Sequence, residues 1–187
     1  MLTKKKDIEQ VHMCLAYPGA AQDDDALYPL SVMNNLLGGG MSSRLFQRIR
    51  EEMGAAYSVY SFPSTYPNCG TLTIYAGTSP ELAQKVADEI HRLIGELMEG
   101  GVTQEEFSMA KDQLRVSYIL GLESSSSRMS SIGRSKLLRG RAVDPKDVIA
   151  KIEAVTKEDV ERVLRETFSK PCSASAVGRD VAGLRLL

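Results

Sequence analysis

The feature that most restricts the fold of this chain is a series of helix start signals confined to its second half. Ser79 stands before Pro80, Thr103 is followed three residues later by Glu106, Asp144 stands before Pro145, and Thr156 is followed by Asp159. Such patterns offer a side-chain oxygen to the N–H groups that a helix leaves unpaired at its start, and a proline in the first turn gives up an N–H that has no partner there anyway. Four helices are therefore expected after residue 79. Apolar stripes at helical spacing run behind the signals, with Leu82, Val86, Ile90, Leu93 and Leu97 in the first helix and Phe107, Ala110, Leu114 and Tyr118 in the second. The serines Ser124 to Ser127 interrupt this half without dividing it into domains, because helix formers resume at once with Met129, Ile132, Leu137 and Leu138. They mark a bend or break.

With the second half helical, the sheet must come mainly from the first. From Ile8 to Tyr17 the residues Val11, Met13 and Leu15 alternate with His12, Cys14 and Ala16, as in a half-buried strand, and Pro18 and Gly19 end the pattern. Asp23, Asp24 and Asp25 then place negative charge at the start of a helix carrying Leu27, Leu30, Met33, Asn34 and Leu37, which stops at Gly38, Gly39 and Gly40. Ser42 or Ser43 is expected to cap a further helix to about Met53, with Leu45, Phe46 and Ile49 on its apolar side and Gly54 as its stop. Tyr57 to Tyr66 and Thr71 to Thr78 read as a hairpin around Pro67 to Gly70, and Cys172 to Val177 as a strand returning to the sheet. The expected fold is α+β: residues 1–187 form a single domain, with an antiparallel-rich sheet of about four strands and helices packed on one face.

Composition removes several classes of function. The 23 basic and 24 acidic side chains leave a net charge of −1, which gives no field to gather nucleic acid or an anionic membrane. No segment approaches the roughly 18 to 20 apolar residues of a membrane span. The polar opening Met1 to Gln10 lacks the apolar centre of a signal peptide, so the expected location is cytoplasmic. Cys14, Cys69 and Cys172 are odd in number and include no Cys-x-x-Cys pair, which argues against a disulfide framework or a cysteine zinc site. His12 and His91 have no histidine partner three or four positions away and read as structural. Gly38 to Ser43 has the look of a phosphate cradle, but it follows a helix and lacks the lysine of a nucleotide loop, so a tight turn is the better reading. Spacing alone assembles no nucleophile, acid and base, and no metal site.

The stretch Leu36 to Tyr60, LLGGGMSSRLFQRIREEMGAAYSVY, changes this picture. Together with the opening EQVHMCLAYPG, the later SSSSRMSSIGR and the Thr156 to Leu164 helix, it resembles the insulinase/pitrilysin family of zinc peptidases. The resemblance is to the C-terminal, non-zinc-binding half-domain of the processing-peptidase-like branch, and it covers nearly the whole chain. It implies a half-domain that faces a related half across a large cavity. The family binds zinc through a His-x-x-Glu-His motif and a distal glutamate, none of which is present here. This chain is thus expected to hold no catalytic residue, no metal and no cofactor of its own. Zinc is expected in the missing N-terminal half or on a partner subunit.

The resemblance also assigns Arg50 and Tyr57, seven positions apart, to substrate binding. Local chemistry alone would give them plainer roles, Arg50 complementing a helix C-terminus and Tyr57 serving as a strand aromatic. The implied function is the substrate-binding half of a zinc metalloendopeptidase acting on peptides or unfolded segments in an enclosed cavity, inert without its zinc-bearing half. The alternative is a noncatalytic structural or scaffold subunit, a role taken by family members whose site residues have decayed. Expected partners are the zinc-bearing half-domain or subunit, a peptide substrate and, through apolar surface left uncovered, a second copy in a homodimer.

Overall fold

The computed structural model describes residues 1–187. Its five strands are β1 (Leu2–Lys5), β2 (Val11–Gly19), β3 (Ala56–Thr65), β4 (Gly70–Thr78) and β5 (Ser173–Gly178). They form one sheet in the order β1-β5-β2-β4-β3, antiparallel throughout except that β1 runs parallel to β5. The sheet thus has five strands where about four were expected. The extra strand is β1, whose sequence LTKK carries one apolar residue and is exposed at every position. It shows no alternation because it buries no face, and its pairing with β5 is made by backbone groups alone.

The α-helices are α1 (Leu27–Leu37), α2 (Ala83–Gly100), α3 (Gln104–Gly121), α4 (Ser125–Arg139), α5 (Pro145–Ala154) and α6 (Lys157–Phe168). One face of the sheet, with Met13 and Leu15 of β2, Leu72 and Ile74 of β4 and Ala174 and Ala176 of β5, is sealed by the helices. Leu30, Met33 and Leu37 of α1, Val86, Ile90 and Leu97 of α2, and Val160, Val163 and Leu164 of α6 join those strand residues in one continuous core. The opposite face lies open at β3, where Tyr60 and Phe62 are exposed.

The helix start signals act as their chemistry requires. Thr103 with Glu106 and Thr156 with Asp159 form reciprocal capping boxes, and Asp144 accepts from the N–H of Lys146. Ser79 makes no such bond; a 3-10 turn over Pro80–Leu82 precedes α2 instead. The serine run begins a separate helix, for Ser124 accepts from the N–H of Ser127 at the start of α4.

The helix expected from Ser42 or Ser43 differs in kind. Phe46–Glu52 is a π-helix, in which the N–H of Met53 reaches back five residues to the carbonyl of Arg48. Ser43 donates its hydroxyl to the Gly40 carbonyl rather than capping anything. Leu45 and Ile49 are fully buried as their spacing suggested. π-Helical turns are uncommon and concentrate at functional sites.

Candidate functional site

The π-helix and the residues just before it carry three arginines, and the structure sorts them by partner. Arg44 grips Glu106 of α3 with two bonds, Nε to Oε1 at 2.7 Å and Nη2 to Oε2 at 2.9 Å. Arg48 donates to Glu89 of α2 at 2.9 Å and also pairs with Glu52. These bonds fasten the segment to two helices, whose carboxylates lie at about 2, well below the usual carboxylate range. For Glu106 the largest cause is the Arg44 hydrogen bond, and for Glu89 the hydrogen bond from Arg92, with Arg48 adding to it. Arg50 is different. Its nearest carboxylate is Glu51 at 4.0 Å.

Arg50 is held through its faces. The guanidinium carbon lies 4.9 Å from the ring centroid of Phe46 and 4.9 Å from that of Tyr57. A guanidinium flanked by aromatic faces is attracted to their π-electrons, while its N–H donors, which lie in its own plane, stay free for another acceptor. The two residues singled out in the sequence are therefore neighbours in space. Phe46, assigned to the apolar side of a helix, turns out to be the second ring beside Arg50. Its spacing of four from Arg50 was the local sign of that contact.

Tyr57 reaches this position through a β-bulge. Ala56 pairs with Thr78 and Ser58 with Gly77, so Tyr57 is an extra residue without a partner on β4. The extra residue resets the alternation, sending Val59 and Ser61 inward and Tyr60 and Phe62 outward. Tyr57 is left 75% exposed at the outer strand of the sheet. Gly54, with φ +58, makes the turn between the π-helix and β3, a backbone conformation suited to glycine.

The triglycine segment closes the site from the other side. The Gly38 carbonyl accepts from the N–H of Ser61 at 3.0 Å, and a Cβ on Gly38 would come within 2.6 Å of that nitrogen. Glycine is needed here for close approach to β3. Asn34 reinforces the contact, its side-chain oxygen accepting from the Ser61 hydroxyl at 2.8 Å. The N–H groups of Gly38 and Gly39 both donate to the Asn34 carbonyl, so the loop does not offer them to a phosphate. Between this loop and β3 lies a cavity of about 260 Å³, lined in part by Gly40, Met41, Phe46, Arg50, Tyr57 and Tyr60.

The remaining sequence candidates stand apart from this site. His91 shares a hydrogen bond with the Leu186 carbonyl, and Cys14, Cys69 and Cys172 are free thiols. Burial raises the Cys14 and Cys172 thiols above the ordinary value, which disfavours the thiolate a metal would need. No three His, Cys, Asp or Glu side chains gather as a metal cage, so the residues present do not fit zinc. His12 lies on the open sheet face, hydrogen-bonded through Nδ1 to the hydroxyl of Tyr75 at 2.7 Å. No helix is long and apolar enough to cross a membrane.

The family model described as the peptidase M16 inactive domain matches residues 1–114. The chain is 41% identical over 169 residues to the uncharacterized zinc protease YmxG of Bacillus subtilis, covering 90% of this chain and 41% of that protein. A protease from Helicobacter pylori shares the fold with a TM-score of 0.84 at 23% identity, over 94% of this chain and 43% of that one. The peptidase M16 inactive domain from Pseudomonas fluorescens superposes with a TM-score of 0.84 at 23% identity, over 97% of this chain and 44% of its own. The chain thus spans about two fifths of the length of the curated relative and of each solved chain it matches.

Proposed function

Because this chain belongs to the peptidase M16 family, as the half described as its inactive domain, we propose that it serves as the substrate-binding half of a zinc metalloendopeptidase. The zinc site belongs to the other half. The single observation that carries this reading is the state of Arg50: flanked by the rings of Phe46 and Tyr57, free of the carboxylates that occupy Arg44 and Arg48, and set in the wall of a cavity. A guanidinium so placed has its N–H donors available to a peptide carbonyl. The Tyr57 hydroxyl beside it adds a neutral donor. When a carbonyl is attacked its oxygen gains negative charge, and preorganised donors that meet this charge act on the transition state more than on the ground state.

In this reading the substrate is a peptide or unfolded segment held between the two halves, and the chain alone is inert. The test is reconstitution with the zinc-bearing half. Arg50→Ala and Tyr57→Phe are each expected to lower kcat/KM by on the order of 10-fold to 10³-fold while leaving the thermal midpoint of this half nearly unchanged. Normal turnover by both variants, with unchanged stability, would overturn the assignment and favour a scaffold role.

A further inference from the structure

The open face of the sheet is uneven in height. Across it, Tyr60 of β3 is level with Tyr75 of β4, then with Cys14 of β2 and Ser175 of β5. One row on, Phe62 is followed by Thr73, Ala16 and Ser173. The rings of Tyr60 and Tyr75 lie 4.9 Å apart and those of Tyr60 and Phe62 5.9 Å apart, within the range of favourable aromatic contact. The bond from His12 to the Tyr75 hydroxyl fixes the inner ring of the group. A wall of three rings therefore stands beside a floor of small side chains, and the floor is hollow by comparison.

Two further observations say what fits against this wall. Tyr60 belongs to the wall and also lines the cavity that holds Arg50, so the two features are one continuous surface. The outer edge of β3 does not accept another strand along its middle. The Ser61 N–H is already taken by the Gly38 carbonyl, and Pro63, two residues on and facing the same way, has no N–H. A peptide reaching Arg50 must then be held by its side chains on the face of the sheet rather than by ladder hydrogen bonds at its edge.

We infer that Tyr60, Phe62 and Tyr75 form a specificity subsite that takes an apolar or aromatic side chain of the peptide whose carbonyl meets Arg50. The inference rests on the substrate-binding reading and adds a chemical preference to it. It is tested with two labelled, unstructured polar peptides, identical except for Phe or Gly at one central position, titrated with the chain and followed by fluorescence anisotropy. The Phe peptide is expected to bind on the order of fivefold tighter or more. Tyr60→Ala combined with Phe62→Ala should bring the ratio to within about twofold, Tyr60→Phe should preserve it, and Arg50→Ala should weaken both peptides while keeping it. Both replaced rings are exposed, and circular dichroism of the double variant checks that it remains folded. Equal affinity for the two peptides overturns the subsite and leaves the substrate-binding reading intact. Failure of both peptides to bind overturns the subsite and the substrate-binding reading together. If the double variant instead loses association with the zinc-bearing half while the peptide ratio persists, the wall is a contact between halves and the inference is wrong.

Discussion

Helices α2 and α4 are built on opposite principles. α2 has no side-chain cap, yet it buries Val86, Ala87, Ile90, Leu93, Ile94 and Leu97 against the sheet and its neighbours. α4 has both ends finished: Ser124 caps its start, Gly140 in the left-handed conformation closes its end, and Lys136 and Arg139 complement the negative end of its dipole. It buries nothing fully; Met129, Ile132 and Leu137 stand exposed along it. The contrast shows that capping decides where a helix begins and stops, whereas the apolar stripe decides whether it belongs to the core. The two kinds of information are separate in the chain and act on different energies.

The largest effect expected from this contrast is in α2. Leu97→Ala should cost about 2–5 kcal/mol in urea unfolding, since Leu97 is fully buried and its neighbours can close the space only in part. A loss below 1 kcal/mol would mean that α2 is not anchored by its stripe.

Acid should loosen the same region next. Glu89 and Glu106 are held at about 2 when folded, against an ordinary value of 4.5. A carboxylate with a lowered folded pKa contributes stability above its unfolded value, and this is lost as pH falls from about 4.5 toward 2. Stability measured across that window should fall, and it should fall less steeply in Glu106→Gln, which starts from a lower neutral-pH value. An unchanged slope would detach the Arg44 pair from the acid response.

Smaller effects belong to α4. Ser124→Ala should cost about 0.5–1 kcal/mol and speed amide hydrogen exchange in the first turn of the helix. Leu137→Ser should change global stability by no more than about 0.5 kcal/mol, because the side chain is exposed. In α4 the cap would then outweigh the aliphatic side chain, the reverse of α2. A larger penalty at Leu137 than at Ser124 would break the comparison.

Much of the fold was legible where its cause is local. The alternation of β2, the stripe of α2 and both threonine capping boxes involve residues within a few positions of one another, so pattern and structure agree. The pairing of Arg50 with Tyr57 was approached only through resemblance. The spacing of seven does not announce proximity; it becomes contact because Gly54 turns the chain and the bulge brings Tyr57 outward. Phe46 and Tyr60 were missed as site residues because a half-buried ring near a helix start and an aromatic in a strand both have ordinary roles.

By itself the sequence determined where the capped helices begin and which strand residues are buried. Tertiary structure alone decided that LTKK becomes a fifth strand, that an extra residue on β3 re-aims Tyr57, and which of three nearby arginines is free. The reason is distance along the chain. A cap finds its partner three residues away, but Glu106 and Glu89, which bind Arg44 and Arg48, lie 62 and 41 positions away, and only folding brings them in, whereas Arg50 has no carboxylate nearer than its neighbour Glu51 at 4.0 Å.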